Sequence, residues 1–320
     1  MKKFVFPLVF GIGLSCYAVY SVLDTLIIPD SNQIIVEDKY GDKLPENEND
    51  EIITENNEYL RYYKSSALEI KIYKEIVKTK DKKNKLVDTI VFCADVRIID
   101  VEHLLGRFAS NKEGKITFGR NIYNKTSKIA SDGNAVFAIS GDNYAGREYG
   151  YVVRNGEAFR DSSRSKNLGD EDLVIWNDGS FEIIEETKTP LNSIMSSPKK
   201  PWQVFSFGPA LVNDYKIVVE NNSEVSTGIA QNYGNQRSVI GIIEPLHYFI
   251  TISEGRLPDS YGQSLYEAAE FIHSKGVKVA YNLDGGGSAT MWFRGEVLNR
   301  PKAENGEIEE REIGDAILFK

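Results

Sequence analysis

Cysteine is scarce in this sequence. Only Cys16 and Cys93 occur among 320 residues, and an acidic stretch separates them, so we expect no disulfide between them. The stability of the fold must then come from a hydrophobic core. A chain of this length with 41% apolar residues can bury a substantial core, in one large domain or in two small ones.

Histidine and net positive charge are also in short supply. The net charge of −9 argues against a general nucleic-acid binder, because such a protein needs a basic face to neutralise phosphates. His103, His247 and His273 lie far apart, and neither an H-E-x-x-H nor a C-x-x-C pattern occurs. We therefore expect no metal and no cofactor. The only basic cluster, Lys78 to Lys85, lies between two strand-like segments and is predicted to be a solvated hairpin loop.

The common nucleotide and hydrolase motifs are missing as well. No Lys-Ser/Thr pair stands at the P-loop spacing, and the G-x-G-x-x-G pattern of dinucleotide sites is absent. There is no G-x-S-x-G elbow to hold a nucleophilic serine. These absences argue against an ordinary nucleotide site and against a serine hydrolase.

A long uncharged run opens the chain. Residues 4–23 contain no charged side chain, Lys2 and Lys3 precede them, and Asp24 follows. Such a run can cross a hydrocarbon core of about 30 Å, and lysines before it with acids after it predict that the N-terminus is inside. We expect an uncleaved signal-anchor in residues 1–29, with the remaining chain outside the cell membrane. A cleaved signal peptide or a lipoprotein signal is the alternative.

A spacer is expected to separate this anchor from a folded domain. Residues 30–58 are acidic, rich in Asn and without a periodic hydrophobic pattern, which is typical of a flexible, solvated linker. The folded domain is then expected to occupy residues 59–320.

The domain is predicted to consist mainly of antiparallel strands. Its segments are mostly short and strand-like, and Asn155-Gly156 and Asp178-Gly179 are favoured two-residue turns between such segments. Helical patterns are few, at residues 121–132 and 264–276. In the second of these, Ser264 and Glu267 have the spacing of a capping box, and Gly276 suits the left-handed residue that ends a helix. We therefore predict a single α+β domain dominated by antiparallel sheet.

Three consecutive glycines give the sequence its most unusual motif, "YNLDGGGSAT" at residues 281–290. Glycine loses more conformational entropy on folding than any other residue, so the run needs a reason. Strand-like segments flank the loop on both sides, which places Asp284 at the end of a strand. Backbone amides without side chains, next to the Ser288 hydroxyl, suit the binding of an anion such as phosphate. A tight turn that Asp284 merely caps is the alternative.

A second carboxylate has a similar position. Gly141-Asp142 follows the apolar strand "AVFAIS" directly, which places Asp142 at a strand end, and two strand-end carboxylates are what a glycosidase needs for acid, base or nucleophile. Aspartates beside glycine are also common in turns, so the pair alone does not decide the function. Arg237 and Arg256 flank two further strand-like segments, and arginine is well suited to bidentate recognition of phosphate.

Six stretches of the chain occur in an order that resembles the phosphodiester glycosidase family: "FAISGDNY", "GYVVRNGE", "FSFGPALV", "QRSVIGII", "HYFITISEGR" and "YNLDGGGSATMWFRGEVLNRP". The resemblance covers roughly residues 90–320, and D-G-G-G-S is its most specific element. It implies hydrolysis of a sugar-1-phosphodiester, with release of the sugar. Bacterial relatives in that family are often labelled exopolysaccharide biosynthesis proteins, which implies a role with surface glycans.

The resemblance also implies which residues form the site. It marks Asp142, Asp284 and Arg237 as catalytic. It further marks Asp315 as one more acid. The substrate-binding positions that it marks are Asn143, Gly285, Gly286, Gly287, Ser288, Glu254, Arg256 and Arg311. This chain departs from the family pattern at three places: Ser238 replaces a usual Thr, Glu254 a usual Asp, and Ile313-Gly314 a usual Val-Ser.

Two other functions stay open at this point. The domain could be an exported module that binds a glycan phosphate without turning it over, or a phosphodiesterase that breaks the P–O bond instead of the C–O bond. A phosphate monoester is a good leaving group, so C–O cleavage needs anion stabilisation more than a strong general acid. Arginines and the amides of the glycine loop are therefore expected to bind the phosphate, while one of the two aspartates supports the sugar carbon or its attacking water.

Overall fold

The structure, a computed structural model, describes residues 15, 33–41, 60–164, 170–220, 234–303 and 305–320. The predicted anchor at residues 4–23 lies outside this part of the chain, apart from Ser15. Within the described residues, no helix has both the length and the apolar character needed to cross a bilayer.

Strands dominate the described chain. Twenty strands occur in this order: β1 (Ile34–Ile35), β2 (Leu60–Lys64), β3 (Leu68–Lys80), β4 (Leu86–Ile98), β5 (Leu104–Phe108), β6 (Thr117–Phe118), β7 (Phe137–Ser140), β8 (Val152–Arg154), β9 (Glu157–Arg160), β10 (Glu171–Trp176), β11 (Phe181–Glu185), β12 (Pro201–Phe205), β13 (Ala210–Asn213), β14 (Lys216–Ile217), β15 (Arg237–Glu244), β16 (His247–Ser253), β17 (Val279–Leu283), β18 (Met291–Phe293), β19 (Glu296–Val297) and β20 (Asp315–Phe319). Among the residues that the structure describes from 33 onward, three α-helices accompany them: α1 (Thr126–Asp132), α2 (Leu191–Met195) and α3 (Leu265–His273).

Three larger sheets carry the fold. The large sheet has the strand order β14-β13-β17-β15-β16-β4-β3-β2, the second sheet has the order β19-β18-β7-β20-β5, and the third sheet has the order β11-β10-β12-β8-β9. The pairings between these strands are antiparallel in all three sheets. The predicted α+β class, dominated by antiparallel sheet, is confirmed.

One hydrophobic core joins the three sheets. It contains Ile240 from the large sheet, Ile317 from the second sheet and Leu173 from the third sheet, all fully buried. A second cluster lies on the opposite face of the large sheet, where Leu265 and Ile272 of α3 pack against the strands. Because the apolar residues of α3 recur every three to four positions, they form a single stripe that covers the sheet.

Local signals in the sequence predicted several elements correctly. The capping box of α3 is present: the Ser264 side chain accepts from the Glu267 amide, and the Glu267 side chain accepts from the Ser264 amide. Gly276 has a φ of +80°, and Asn155 and Gly156 have φ values of +53° and +82° in the turn between β8 and β9. These conformations cost little in glycine and asparagine.

Helix α1 is shorter than the predicted segment 121–132. It begins only at Thr126, because the preceding residues are held in extended contacts. Asn124 forms a bridge with Ile313, and its side-chain oxygen accepts from the Ser110 amide at 2.7 Å. These contacts come from distant parts of the chain, so a local pattern could not reveal them.

The described part of the expected linker, residues 33–41, is held against the domain. Strand β1 pairs with β6, and the Tyr40 ring contacts the Trp202 ring edge-on at 5.8 Å. The Lys320 ammonium group donates to the Tyr40 carbonyl at 2.7 Å. This short stretch therefore adds to the fold, although its sequence is typical of a solvated spacer.

Candidate active site

The ends of β7 and β17 meet where the large and second sheets come together. The Asp284 amide donates to the Gly141 carbonyl at 3.1 Å, and the Ser140 hydroxyl donates to the Asp284 carbonyl at 3.2 Å. Asp284 directly follows β17 and Asp142 lies one residue beyond the end of β7 and Gly141, so the structure brings the two predicted aspartates to the same junction. Their side chains, however, enter different surroundings.

The glycine loop passes from the large sheet to the second sheet through a narrow space. Gly286 has a φ of +59° in a 3-10 turn that spans Gly286–Ser288. A Cβ atom on Gly285 would lie 2.6 Å from the Gln236 carbonyl oxygen, and one on Gly287 would lie 3.1 Å from Ala303 Cα. The loop needs glycine because it packs directly against neighbouring backbone.

Only some amides of this loop remain open. The Gly286 amide donates to the Gln236 carbonyl at 2.9 Å, and the Ser288 amide donates to the Gly285 carbonyl at 3.2 Å. Within the described chain, no backbone carbonyl accepts from the amides of Gly285 and Gly287. Of the three glycine amides that the sequence suggested for anion binding, the Gly286 amide is thus already used within the fold.

Asp284 is paired with Arg311 at the floor of an open cleft. Arg311 Nη2 lies 3.1 and 3.2 Å from the two carboxylate oxygens of Asp284, and Arg311 Nε donates to the Ser288 hydroxyl at 2.8 Å. Asp284 is only 6% exposed, whereas the Arg311 side chain is 39% exposed. Burial raises the pKa of Asp284, and the charge of Arg311 with the Ser288 hydrogen bond only partly offsets this effect.

The cleft above Asp284 has a volume of about 720 Å³. Its walls come from the segment before α1, from the turn after β7 and from the segment before β20: Tyr123, Lys125, Asn143, Gly146, Ala303, Glu309, Glu310, Arg311 and Glu312. The predicted residues Asn143, Asp284 and Arg311 therefore share one cleft. Lys125 adds a second cation, and Glu309, Glu310 and Glu312 add three further carboxylates; the sequence had indicated none of these four residues.

Asp142 points away from this cleft into a cage of arginines. Its carboxylate accepts from Arg147 Nη2 at 2.8 Å and from the Ser206 amide at 3.0 Å, and Arg154 Nη2 lies 3.5 Å away. The residue is 0% exposed. Burial alone would raise the pKa of Asp142, but the charges of Arg147 and Arg154 with the Ser206 amide outweigh it and lower the pKa. Asp142 thus lies beside the cleft without opening into it.

Arg154 is the centre of this cage and also binds Asp315. Arg154 Nε donates to Asp315 Oδ2 at 2.7 Å, and the other Asp315 oxygen accepts from the Asp142 amide at 2.9 Å. The guanidinium lies 4.1 Å from the centre of the Phe205 ring, close enough for a cation–π contact. Burial raises the pKa of Asp315 to about 6, since the Arg154 charge offsets it only in part and the Asp142 charge adds to it.

Arg237 does not reach Asp284 in this structure. Its neighbour Ser238 lies 3.3 Å from Ser140 on the Asp284 side of the sheet, and adjacent residues of a strand point to opposite faces. Arg237 Nε instead donates to the Gln263 carbonyl at 3.0 Å. Burial lowers the pKa of Arg237 to about 10, the Arg256 charge contributes to this, and Glu267 opposes it.

Arg256 and Glu254 lie on the other side of the glycine loop. Arg256 Nη2 is 3.7 Å from the position that a Cβ on Gly286 would take. Arg256 has a φ of +59°, a conformation that arginine rarely adopts. Glu254 is buried and bound by Arg300, whose Nη2 donates to it at 2.6 Å and whose amide donates at 2.7 Å. The sequence gave no role to Arg300, although it lies in the stretch that resembles the family.

The arrangement places the Asp284 carboxylate beside two cations, with three glutamates further along the cleft wall. Asp284 can accept a proton or approach an electron-poor carbon, while Arg311 and Lys125 can balance an anion in the same cleft. Among the residues that the structure describes, no three His, Cys, Asp or Glu side chains are grouped as metal ligands. Sequence reasoning missed Arg147 and Arg154, although one signal was available. Arg154 ends the apolar strand "YVV", and a charge in a buried strand needs a partner.

Comparisons with known proteins indicate a family and a fold. The family model described as phosphodiester glycosidase matches residues 126–320. The solved catalytic domain of zebrafish N-acetylglucosamine-1-phosphodiester alpha-N-acetylglucosaminidase, auto-inhibited by pro-peptide, has a TM-score of 0.62 at 19% identity, covering 80% of this chain and 84% of that chain. A hypothetical protein from Synechocystis has a TM-score of 0.50 at 12% identity, covering 81% and 63% of the two chains. These two structures show a similar fold.

A curated relative is also similar. The SPbeta prophage-derived uncharacterized protein YomE of Bacillus subtilis strain 168 is 24% identical over 184 residues. The match covers 57% of this chain and 28% of that protein, so the chain spans less than a third of its length.

Proposed function

The chain belongs to the phosphodiester glycosidase family, and we propose on this premise that it hydrolyses the glycosyl C–O bond of a sugar-1-phosphodiester. The substrate is part of a surface glycan or exopolysaccharide, and the reaction takes place outside the cytoplasm. The uncharged run at residues 4–23, with lysines before it and acids after it, supports this location.

One observation carries the proposal. Asp284 lies at the floor of an open cleft, where Arg311 binds both of its carboxylate oxygens and extends an exposed side chain beside it. A carboxylate next to a cation suits a substrate whose sugar carbon becomes positive while its phosphate keeps a negative charge.

The reaction follows from these positions. Water adds to C1 of the sugar, and the bond between C1 and the phosphate oxygen breaks. The phosphate monoester leaves with the electron pair and all of its original oxygens. Asp284 accepts the proton of the attacking water, or stabilises the positive charge at C1 as water arrives. Arg311, Lys125 and the amides of Gly285 and Gly287 hold the phosphate, which needs little protonation to leave.

Asp142 has a supporting role in this proposal. Its carboxylate is committed to Arg147, Arg154 and the Ser206 amide, so it fixes the loop that presents Asn143 to the cleft. Arg256, which lies beside Gly286, is better placed than Arg237 to meet the phosphate.

The bond that breaks can be identified by hydrolysis in water labelled with heavy oxygen. We expect the label on C1 of the released sugar, because water attacks carbon. Label in the phosphate instead shows P–O cleavage and identifies a phosphodiesterase. Binding of a sugar-1-phosphodiester without turnover identifies a glycan-phosphate binding module. Either of these results contradicts the proposal.

A further inference from the structure

The hairpin of β3 and β4 extends beyond the core of the large sheet. Its inner half contributes buried residues such as Ile70 and Ile72, but Ile76, on the same face further out, is 69% exposed. Leu86, near the tip of the hairpin, is 59% exposed. The outer half therefore projects a face into solvent that the core does not cover.

This projection leaves the large sheet at the same end as the candidate active site. Ser253, the last residue of β16, pairs with Val91 of β4, and Ile76 of β3 pairs with the next residue, Ile90. The Glu254 amide donates to the Ile90 carbonyl, so the hairpin continues past the end of β16. Asp284 follows β17, which lies two strands beyond β16 in the same sheet. Strands are spaced about 4.8 Å apart, so the β3 backbone lies roughly 19 Å from that of β17.

The opposite face of the hairpin is fixed to the domain. The buried hydroxyls of Thr79 and Thr89 lie 2.8 Å apart, and Thr89 Oγ1 accepts from the Gly262 amide at 2.9 Å. The Lys80 amide donates to Glu267 of α3 at 2.7 Å. These contacts hold the projection in one orientation, so the exposed face is a defined surface and not a loose loop.

The exposed face is strongly basic in a chain whose net charge is −9. Residues 71–85 contain seven lysines against two acids, Glu75 and Asp81. Asp81 is used in the turn itself, since its Oδ1 accepts from the amides of Lys83 and Lys85, both at 2.8 Å. Lys78 Nζ forms an ion pair with Asp88 at 2.6 Å, and the lysines of the hairpin still outnumber its acids, so this surface carries net positive charge.

Further cations lie between the hairpin and the glycine loop, together with carboxylates. Lys74 is close enough to Asp259 for its charge to help lower the pKa of that carboxyl, after the larger effect of the Arg300 hydrogen bond. Arg300 Nη2 in turn lies 3.0 Å from Asp259 and 2.6 Å from Glu254, so two carboxylates balance its charge. Arg256 lies next to Gly286.

We infer that this basic face of β3 and β4 binds the anionic remainder of the substrate, a polymer that carries further phosphodiesters beyond the bond to be cleaved. The inference rests on the proposed function. A polyanion gains from several cations in a row, and the gain weakens with salt. An anionic membrane is the alternative partner for exposed lysines, but the position of this face at the active-site end of the large sheet favours the substrate polymer.

The test compares two variants that each replace four exposed lysines by glutamine. The hairpin variant changes lysines on β3 and in the turn: Lys78→Gln, Lys80→Gln, Lys83→Gln and Lys85→Gln. The control variant removes the same charge elsewhere on the surface: Lys112→Gln, Lys115→Gln, Lys188→Gln and Lys216→Gln. Each protein is assayed with a polymer of sugar-1-phosphodiester units and with a single sugar-1-phosphodiester, at two salt concentrations.

We expect the hairpin variant to raise the KM for the polymer by about tenfold at low salt, with kcat unchanged. Its kinetics with the single phosphodiester should equal those of the wild-type protein, and the control variant should change neither. An unchanged KM for the polymer overturns the inference. An equal rise in KM for both variants also overturns it, because general charge would then be the cause.

Binding of inorganic polyphosphate tests the surface without any turnover. We expect about tenfold weaker binding by the hairpin variant than by the control variant. Equal binding overturns the inference even if the enzyme is active. A loss of binding only to vesicles of phosphatidylglycerol identifies a membrane surface and overturns it as well. If the wild-type protein turns over no sugar-1-phosphodiester, the proposed function fails while the polyphosphate result still stands.

Discussion

Asp142 and Asp284 have similar positions at the ends of strands and opposite surroundings. Asp284 directly follows β17, and Asp142 follows β7 after one glycine. Asp142 is bound by Arg147 and Arg154 and has a lowered pKa, whereas Asp284 faces a cleft with Arg311 and has a raised pKa. Position at a strand end therefore brings both carboxylates to the junction of two sheets, but the residues packed around them decide which one can react.

The comparison also separates two uses of charge. Around Asp142 and Asp315, arginine and carboxylate groups are almost fully buried and pair with one another. Around Asp284 the cation is partly exposed and available to a ligand. Buried pairs resist change because removal of one partner leaves an uncompensated charge, while an exposed cation can exchange partners at little cost. We therefore assign stability to the first group and chemistry to the second.

The largest effect is expected for the Asp284→Asn variant. An amide cannot accept a proton or stabilise a positive carbon as a carboxylate does, so kcat should fall by about 10³-fold or more. The fold should survive, because burial already disfavours the charged form of Asp284. Steady-state kinetics together with thermal unfolding would measure both quantities.

The matched control is the Asp142→Asn variant. It should lose stability instead, since the change weakens the carboxylate partner of Arg147 and Arg154. If Asp142→Asn abolishes kcat with an unchanged unfolding free energy, and Asp284→Asn keeps most of its activity, the assignment of the two aspartates is reversed.

The next largest effect is expected for the Arg154→Lys variant. Lysine keeps the charge but loses the fork that reaches Asp142, Asp315 and two carbonyl groups. We expect a loss of about 3 kcal/mol in the free energy of unfolding, measured with urea, because a buried ionic network is broken.

Arg120 provides the matching surface position. Its ion pair with Glu148 is about half exposed, so Arg120→Lys should change the free energy of unfolding by less than about 1 kcal/mol. Similar losses for both variants would contradict the view that the Asp142 cage contributes to stability.

Local patterns predicted the parts of the fold that depend on neighbouring residues. The capping box at Ser264, the turn at Asn155-Gly156 and the glycine loop after β17 are all set within a few residues. The start of α1 was wrong because Asn124 is held by Ile313 and Ser110, which are distant in the sequence. The ordered stretch at residues 33–41 was missed for the same reason, since its contacts lie more than 60 residues away.

The site was predictable only in part for a related reason. The sequence and its resemblance identified Asn143, Asp284 and Arg311, which share the cleft. They could not show that Asp142 is enclosed, because the cage joins positions 12 and 161 residues apart through Arg154. The face of the large sheet on which the Arg237 side chain lies depends on which face α3 covers. Local sequence patterns could not predict this either.

The smallest effect is expected in the dependence of stability on pH. Burial raises the pKa of Asp315 from 3.8 to about 6, so between these values the folded protein holds a proton that the unfolded chain has released. Stability from this group is fully present below about pH 4 and is lost as the pH rises through about 6. The contribution of Asp142 depends on pH in the opposite direction. Because its pKa is lowered, Asp142 adds stability that is lost as the pH falls below the usual pKa of an aspartate.

The two contributions can be separated by urea unfolding of the wild-type protein and the Asp315→Asn variant at several pH values between 4 and 7. The contribution of Asp315 to the free energy of unfolding changes by at most about 3 kcal/mol over this range. We expect the variant to lack this decrease, because asparagine is neutral at every pH, so its stability relative to the wild-type protein should improve as the pH rises from 4 to 7. The slope is the decisive readout, since a purely structural loss would shift the whole curve without changing its shape. If both proteins show the same slope, Asp315 is ionised throughout, and the cage around Arg154 then holds two permanent negative charges.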